Sequence, residues 1–161
     1  MPDDSKLIRW GLILAAAIIV VRILLEQADA PEKVCFFFGV AWLYFIMPVL
    51  FALAIRARNA ASPFKSLLKD IVLFVFCTRV MVMITYMLAY IFRWKPSRFA
   101  YPGGNVGENV SVWTGLIFIP LRNVLIWVVM ATILGMIIGS VALLLKRKGS
   151  APAHTTSAPG L

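Results

Sequence analysis

Residues 71–92 read IVLFVFCTRVMVMITYMLAYIF, an apolar run carrying one full charge, Arg79, near its middle. At about 1.5 Å per residue a helix over this stretch rises about 33 Å, enough to cross a hydrocarbon layer of about 30 Å. An arginine at such depth is costly unless a carboxylate, a carbonyl or a phosphate meets it. Which group does so is the question the remaining sequence has to answer.

Of the 161 residues, 61% are hydrophobic and 14% are charged, and the mean hydropathy is +0.90. That balance excludes an ordinary soluble domain, whose apolar share is about 45–50%. The segments between apolar runs stay below roughly 20 residues, too short to bury a separate soluble core. The chain therefore reads as one membrane domain, residues 1–148. A tail of Gly, Ala, Pro, Ser and Thr at 149–161 is expected to be disordered and cytoplasmic. The net charge of +9 would suggest nucleic acid in a soluble protein, but here Lys and Arg cluster at the ends of apolar runs. That placement anchors and orients helices, and no nucleic-acid partner is expected.

Four transmembrane helices are predicted, at about 7–25, 34–55, 71–92 and 121–145, giving an all-α integral membrane bundle. The first run competes with a signal peptide ending at Ala28-Asp29-Ala30. It is longer than the 7–15 apolar residues of a signal, is interrupted by Arg22, and is followed by Pro31. The second contains Pro48, where a kink is expected. Arg56, Arg58, Lys65 and Lys69 are placed in the loop after it, with a turn at Ser62-Pro63. The last apolar region, 113–145, would measure about 50 Å as one helix, which exceeds the hydrocarbon thickness. A break is expected at Pro120, leaving 110–118 as a short interfacial or half-inserted segment before the fourth span. A single proline-kinked helix is the alternative.

Orientation follows the Lys and Arg of short loops. With the N-terminus inside, Lys6, Arg9, Arg56, Arg58, Lys65, Lys69, Lys146, Arg147 and Lys148 face the cytoplasm, against Lys33, Arg93, Lys95 and Arg98 outside. Both termini are expected to be cytoplasmic, in the cytoplasmic membrane of a bacterium.

None of the seven carboxylates falls within the middle of a span, and Asp70 lies about 13 Å of helical rise from Arg79. The candidate partners are backbone carbonyls near Pro48 or Pro120, a lipid phosphate, a transported anion, or an acidic group of another subunit. Tyr86 and Tyr90 lie within about 20° of Arg79 around the helix, so the three form a candidate intramembrane polar contact. The plainer account has the tyrosines in an interfacial belt and Arg79 reaching the cytoplasmic headgroups. Arg22 has Glu26 four residues on as a ready partner, and Arg122 is assigned to the outer headgroups. A path of three arginines, Arg22, Arg79 and Arg122, is therefore weakly supported.

Ala131, Gly135 and Gly139 recur every four residues, a small face that lets helix backbones approach, within the chain or between chains. Loop 93–109 mixes basic and aromatic residues and reads as an interfacial anchor followed by a flexible turn. Its Gly103, Gly104 and Gly107 lack the ending of a phosphate-binding loop, and Asn109-Val110-Ser111 is a formal glycosylation sequon of low significance. Cys35 and Cys77 are predicted about 20 Å apart along the membrane normal, too far for a disulfide. The single histidine, His154, lies in the tail.

No metal-binding, nucleophilic or paired-carboxylate set is visible, so no catalytic residue, metal or cofactor is assigned. The function expected from these features is a non-catalytic multi-pass subunit or assembly protein of a larger membrane complex. Its partners would be the lipid bilayer and other membrane subunits, or a second copy of itself. The alternative is a small oligomeric channel or transporter for an anion or lipid headgroup.

Overall fold

The structure, a computed structural model, describes residues 4–145. The tail and the basic residues 146–148 lie outside the described residues, as does His154. The chain is all-helical over that range. Four segments are long and apolar enough to cross a membrane: Ser5–Gln27, Glu32–Ala57, Pro63–Ile91 and Thr114–Leu145.

The first is one helix, α1 (Asp4–Gln27). The second is divided into α2 (Glu32–Phe37), a 3-10 turn at Val40–Trp42, and α3 (Leu43–Ala57). Its interruption falls at Gly39, which is extended (φ −85°, ψ 130°), whereas α3 continues through Pro48. The third is α4 (Pro63–Ile91), which starts well before the expected residue 71. Lys65, Lys69 and Asp70 therefore belong to its first turns, and the connecting loop shrinks to residues 58–62. Pro63 occupies the first turn, where a missing N–H costs no helical bond. An apolar run locates the hydrocarbon-sized part of a helix, but good helix formers such as Lys and Leu extend it further.

The fourth segment corrects the expected break at Pro120. Residues 114–118 form a π-helical turn that runs directly into α5 (Ile119–Leu145), so no half-inserted piece stands apart from the fourth helix. Within the turn the Ile119 N–H donates to the Thr114 carbonyl. Continuing that pattern, the next donor to the Gly115 carbonyl would be residue 120, and proline has no N–H. Asn105 fills the vacancy: its Nδ2 donates to the Gly115 carbonyl at 2.8 Å. The proline is tolerated because a distant side chain supplies the hydrogen bond it lacks.

The same Nδ2 also donates to the Tyr86 carbonyl at 2.7 Å, so the fully buried Asn105 ties loop 92–113 to both α4 and the start of the last helix. Phe99 is likewise fully buried, edge-on to Tyr86 at 5.2 Å and Trp94 at 5.6 Å between ring centroids. The Tyr101 N–H donates to the Val106 carbonyl at 2.9 Å, and the Val106 N–H to the Phe99 carbonyl at 2.7 Å. The expected flexible turn is instead a folded cap.

Helices α3, α4 and α5 pack on one another, while α1 packs on α3 and α4 without reaching α5. Met47, Phe51 and Ile55 of α3 and Leu67, Ile71 and Phe74 of α4 fill the interior, with the Phe51 and Phe74 rings 5.9 Å apart. Ser5 and Arg9 share a groove with Lys69 and Asp70. The start of α1 thus lies at the end holding the α3–α4 turn, opposite the cap.

Candidate functional site

Arg79 is only 6% exposed. Its guanidinium carbon lies 4.4 Å from the centroid of Trp127 and 4.9 Å from that of Tyr44, one aromatic on α5 and one on α3. Cation–π attraction of this kind contributes about 0.5–2 kcal/mol per ring. Arg79 Nε has no hydrogen-bond partner among the described residues. The Tyr44 hydroxyl also lacks a well-formed hydrogen bond.

Arg79 borders a cavity of about 290 Å³ that reaches along α4 past Val82 and Thr85 to Tyr86, and on to Arg98 of the cap. It thus borders a space on the cap side of α4, away from the α3–α4 turn. Arg22 of α1 and Asn123 and Trp127 of α5 complete the polar and aromatic lining, with Phe36, Phe38 and Val40 from the interrupted second segment. Because α1 and α5 do not touch, this is a space that both can border. The Thr85 hydroxyl is occupied, donating to its own helix at the Val82 carbonyl, 2.7 Å away.

The break at Gly39 lies beside Arg22. A Cβ on that glycine would lie 3.5 Å from Arg22 Nη1 and 3.0 Å from the Phe36 carbonyl. Arg22 Nε meets Glu26 Oε1 at 2.8 Å, the pair expected from their spacing. Less foreseeable is the other carboxylate oxygen, which lies 2.8 Å from Arg98 Nε. Glu26, with its side chain 7% exposed, is therefore shared by two arginines on different elements. Arg98 Nη2 still has no acceptor among the described residues. Burial lowers the Arg98 pKa from the usual guanidinium value, Glu26 raises it and Arg22 lowers it. An arginine remains protonated throughout the physiological range.

Tyr86 lies with Arg79 on the cavity, but Tyr90 does not. Its hydroxyl donates to the Val110 carbonyl at 3.0 Å, Arg93 stacks on its ring at 5.2 Å, and the ring lies where a side chain on Gly115 would go. Equal azimuth on a helix sets a shared face, not a shared depth, and one further turn carries Tyr90 into the cap. Arg122 is exposed, and Arg98 stands where the sequence suggested it as the third arginine.

The small-residue face is covered from inside the chain. Gly135 approaches Ile71 and Pro48, with 3.1 and 3.2 Å from a built Cβ, and Gly139 approaches Leu67 and the Pro48 carbonyl, with 2.8 and 3.2 Å. Ala131 is 3% exposed. A partner helix therefore has no access to this face, because α3 and α4 already use the close approach that the glycines permit. Both cysteines are free thiols. Among the described residues no group of three His, Cys, Asp or Glu side chains could hold a metal ion.

Four groups central to the site escaped sequence reasoning: Tyr44, Arg98, Trp127 and the bridging role of Glu26. Arg98 and Asn105 sit in a loop without periodicity, and only the fold brings them over α4. No protein-family model, curated protein or solved structure matches this chain.

Proposed function

We propose that this chain is an integral membrane protein that binds an anionic group in the Arg22–Arg79–Arg98 cavity without transforming it. The observation that carries this reading is a cavity lined by three arginines, two of which share a single carboxylate, Glu26, that stands outside the lining, while the third, Arg79, meets only aromatic rings. Buried ions are stable only when paired and hydrogen-bonded, so the arrangement suits an arriving acceptor with several oxygens. Binding is favoured over catalysis because the cavity lining includes no carboxylate, histidine, lysine or thiol to move a proton or attack a substrate.

Insertion in a bilayer is supported by the four long apolar segments and by an outer surface rich in Trp10, Ile13, Leu125, Met130 and Ile137, a patch pattern foreign to soluble monomers. The basic residues near the α3–α4 turn favour the cytoplasm for that end and for both termini. The cavity then faces the outer leaflet. Binding is also favoured over conduction through one copy, since Met47, Phe51, Ile55 and Phe74 fill the interior below Arg79.

Binding of dodecyl phosphate and dodecyl sulfate to the protein in nanodiscs tests the proposal. Replacing Arg79 or Arg98 by Gln removes a charge-assisted hydrogen bond and is expected to weaken both amphiphiles roughly 10–100-fold. Affinity unchanged in both variants overturns it.

A further inference from the structure

Resting on the anion-binding reading, we propose that the ligand is a phosphomonoester borne on a hydrocarbon chain: a lipid whose headgroup is a dianion. The charge count of the cavity leads there. Arg22, Arg79 and Arg98, which line the cavity, contribute three positive charges, and Glu26, outside the lining but 2.8 Å from both Arg22 Nε and Arg98 Nε, contributes one negative, so two positive charges remain. Glu26 borders a neighbouring cavity of about 220 Å³ that Arg22 and Arg98 also line; Asp29 and Glu32 line it too, but both are exposed to solvent, where their charges are screened.

In a low-dielectric cavity a residual charge is expensive, and the best ligand is the one that cancels it. A phosphomonoester carries about −1.5 to −2 at pH 7 and presents three acceptor oxygens. A phosphodiester headgroup carries a single negative charge and leaves one guanidinium unneutralised. Glu26 thus acts as a specificity residue: by holding Arg22 and Arg98 together it sets the residual at two rather than three.

The rest of the lining selects for a tail. Phe36, Phe38 and Trp127 are 65%, 41% and 43% exposed while also bordering the cavity. They form an apolar margin around a guanidinium floor. A cavity of about 290 Å³ lies at the lower end of ligand-pocket sizes. It accommodates a headgroup and leaves the chains outside, against the exposed aromatic margin.

The test is competitive binding to the intact protein in phosphatidylcholine nanodiscs, read by native mass spectrometry, with phosphatidic acid, phosphatidylglycerol of the same chains, and inorganic phosphate as probes. At pH 7.5, phosphatidic acid is expected to bind at least about tenfold more tightly than phosphatidylglycerol, the worth of one charge-assisted hydrogen bond. Arg79→Gln lowers the residual charge to one and should bring that ratio close to unity. Lowering the pH through about 6 in the wild-type protein, where the phosphomonoester gains a proton, should shrink the ratio likewise, and this arm needs no variant to fold. Equal, Arg79-dependent binding of the two lipids overturns the dianion assignment and leaves anion binding standing. Inorganic phosphate as tight as phosphatidic acid overturns the requirement for a tail. Binding insensitive to both Arg79 and lipid charge overturns the anion site itself.

Discussion

If Asn105 replaces the hydrogen bond that Pro120 cannot make, the two residues must be energetically coupled although they lie on different elements. Asn105→Ala removes the donor to the Gly115 carbonyl at 2.8 Å and the donor to the Tyr86 carbonyl at 2.7 Å. Tyr86 keeps a helical position where a backbone N–H can serve its carbonyl, so its loss is an ordinary hydrogen bond, about 0.5–1.5 kcal/mol. Gly115 is left with a buried acceptor and no donor, at about 1–3 kcal/mol. The single substitution should therefore destabilise the protein by about 2–4 kcal/mol. In a Pro120→Ala background the new backbone N–H can donate to Gly115, and the cost of Asn105→Ala should fall by about 1–3 kcal/mol. The cycle is measured by reversible unfolding in mild detergent micelles, comparing the four proteins under identical conditions. An Asn105→Ala cost that is the same in the wild-type and Pro120→Ala backgrounds would refute the hydrogen-bond substitution and reduce Asn105 to a packing residue.

Arg79→Met should separate stability from binding. The variant loses two cation–π contacts, about 1–4 kcal/mol together, but is relieved of an incompletely paired buried charge costing several kcal/mol. Its unliganded stability should shift by less than about 2 kcal/mol while affinity for an anionic amphiphile falls at least about tenfold; strong destabilisation with intact affinity would contradict this. Gly139→Leu drives a Cβ to 2.8 Å from Leu67 and 3.2 Å from the Pro48 carbonyl, and overpacking of that kind costs about 1–3 kcal/mol or more. Ile137→Leu, on the 59% exposed side of the same helix, should be close to neutral, and equal effects of the two on thermal unfolding would show that the glycine face is not the packed one.

Much of the helical layout is legible in the linear chain. Runs of apolar residues longer than a soluble helix requires predict four helices directly, because backbone groups in hydrocarbon must be satisfied within each segment. Helix ends are less legible. The first turns of α4 are polar, and hydropathy cannot distinguish a helix leaving the membrane from a loop. Pro120 misleads for a related reason: proline breaks a helix only when nothing else completes its hydrogen bonds, and here Asn105, from the preceding loop, does so. The pairing of Arg22 with Glu26 is local and follows from helical spacing.

By itself, the sequence determined that the chain forms four long apolar helices and that one of them carries an arginine without a counter-charge of its own. Both are one-dimensional properties, settled by segment length, hydropathy and the spacing of charges. Only the tertiary structure decided what surrounds that arginine. Two aromatic rings come from α3 and α5, a third guanidinium comes from the cap in place of Arg122, and Glu26 joins two of the arginines. Azimuth on a helix is periodic and can be read from sequence, whereas depth and the approach of a loop depend on how the helices dock. The charge balance of the cavity therefore exists only in the folded chain.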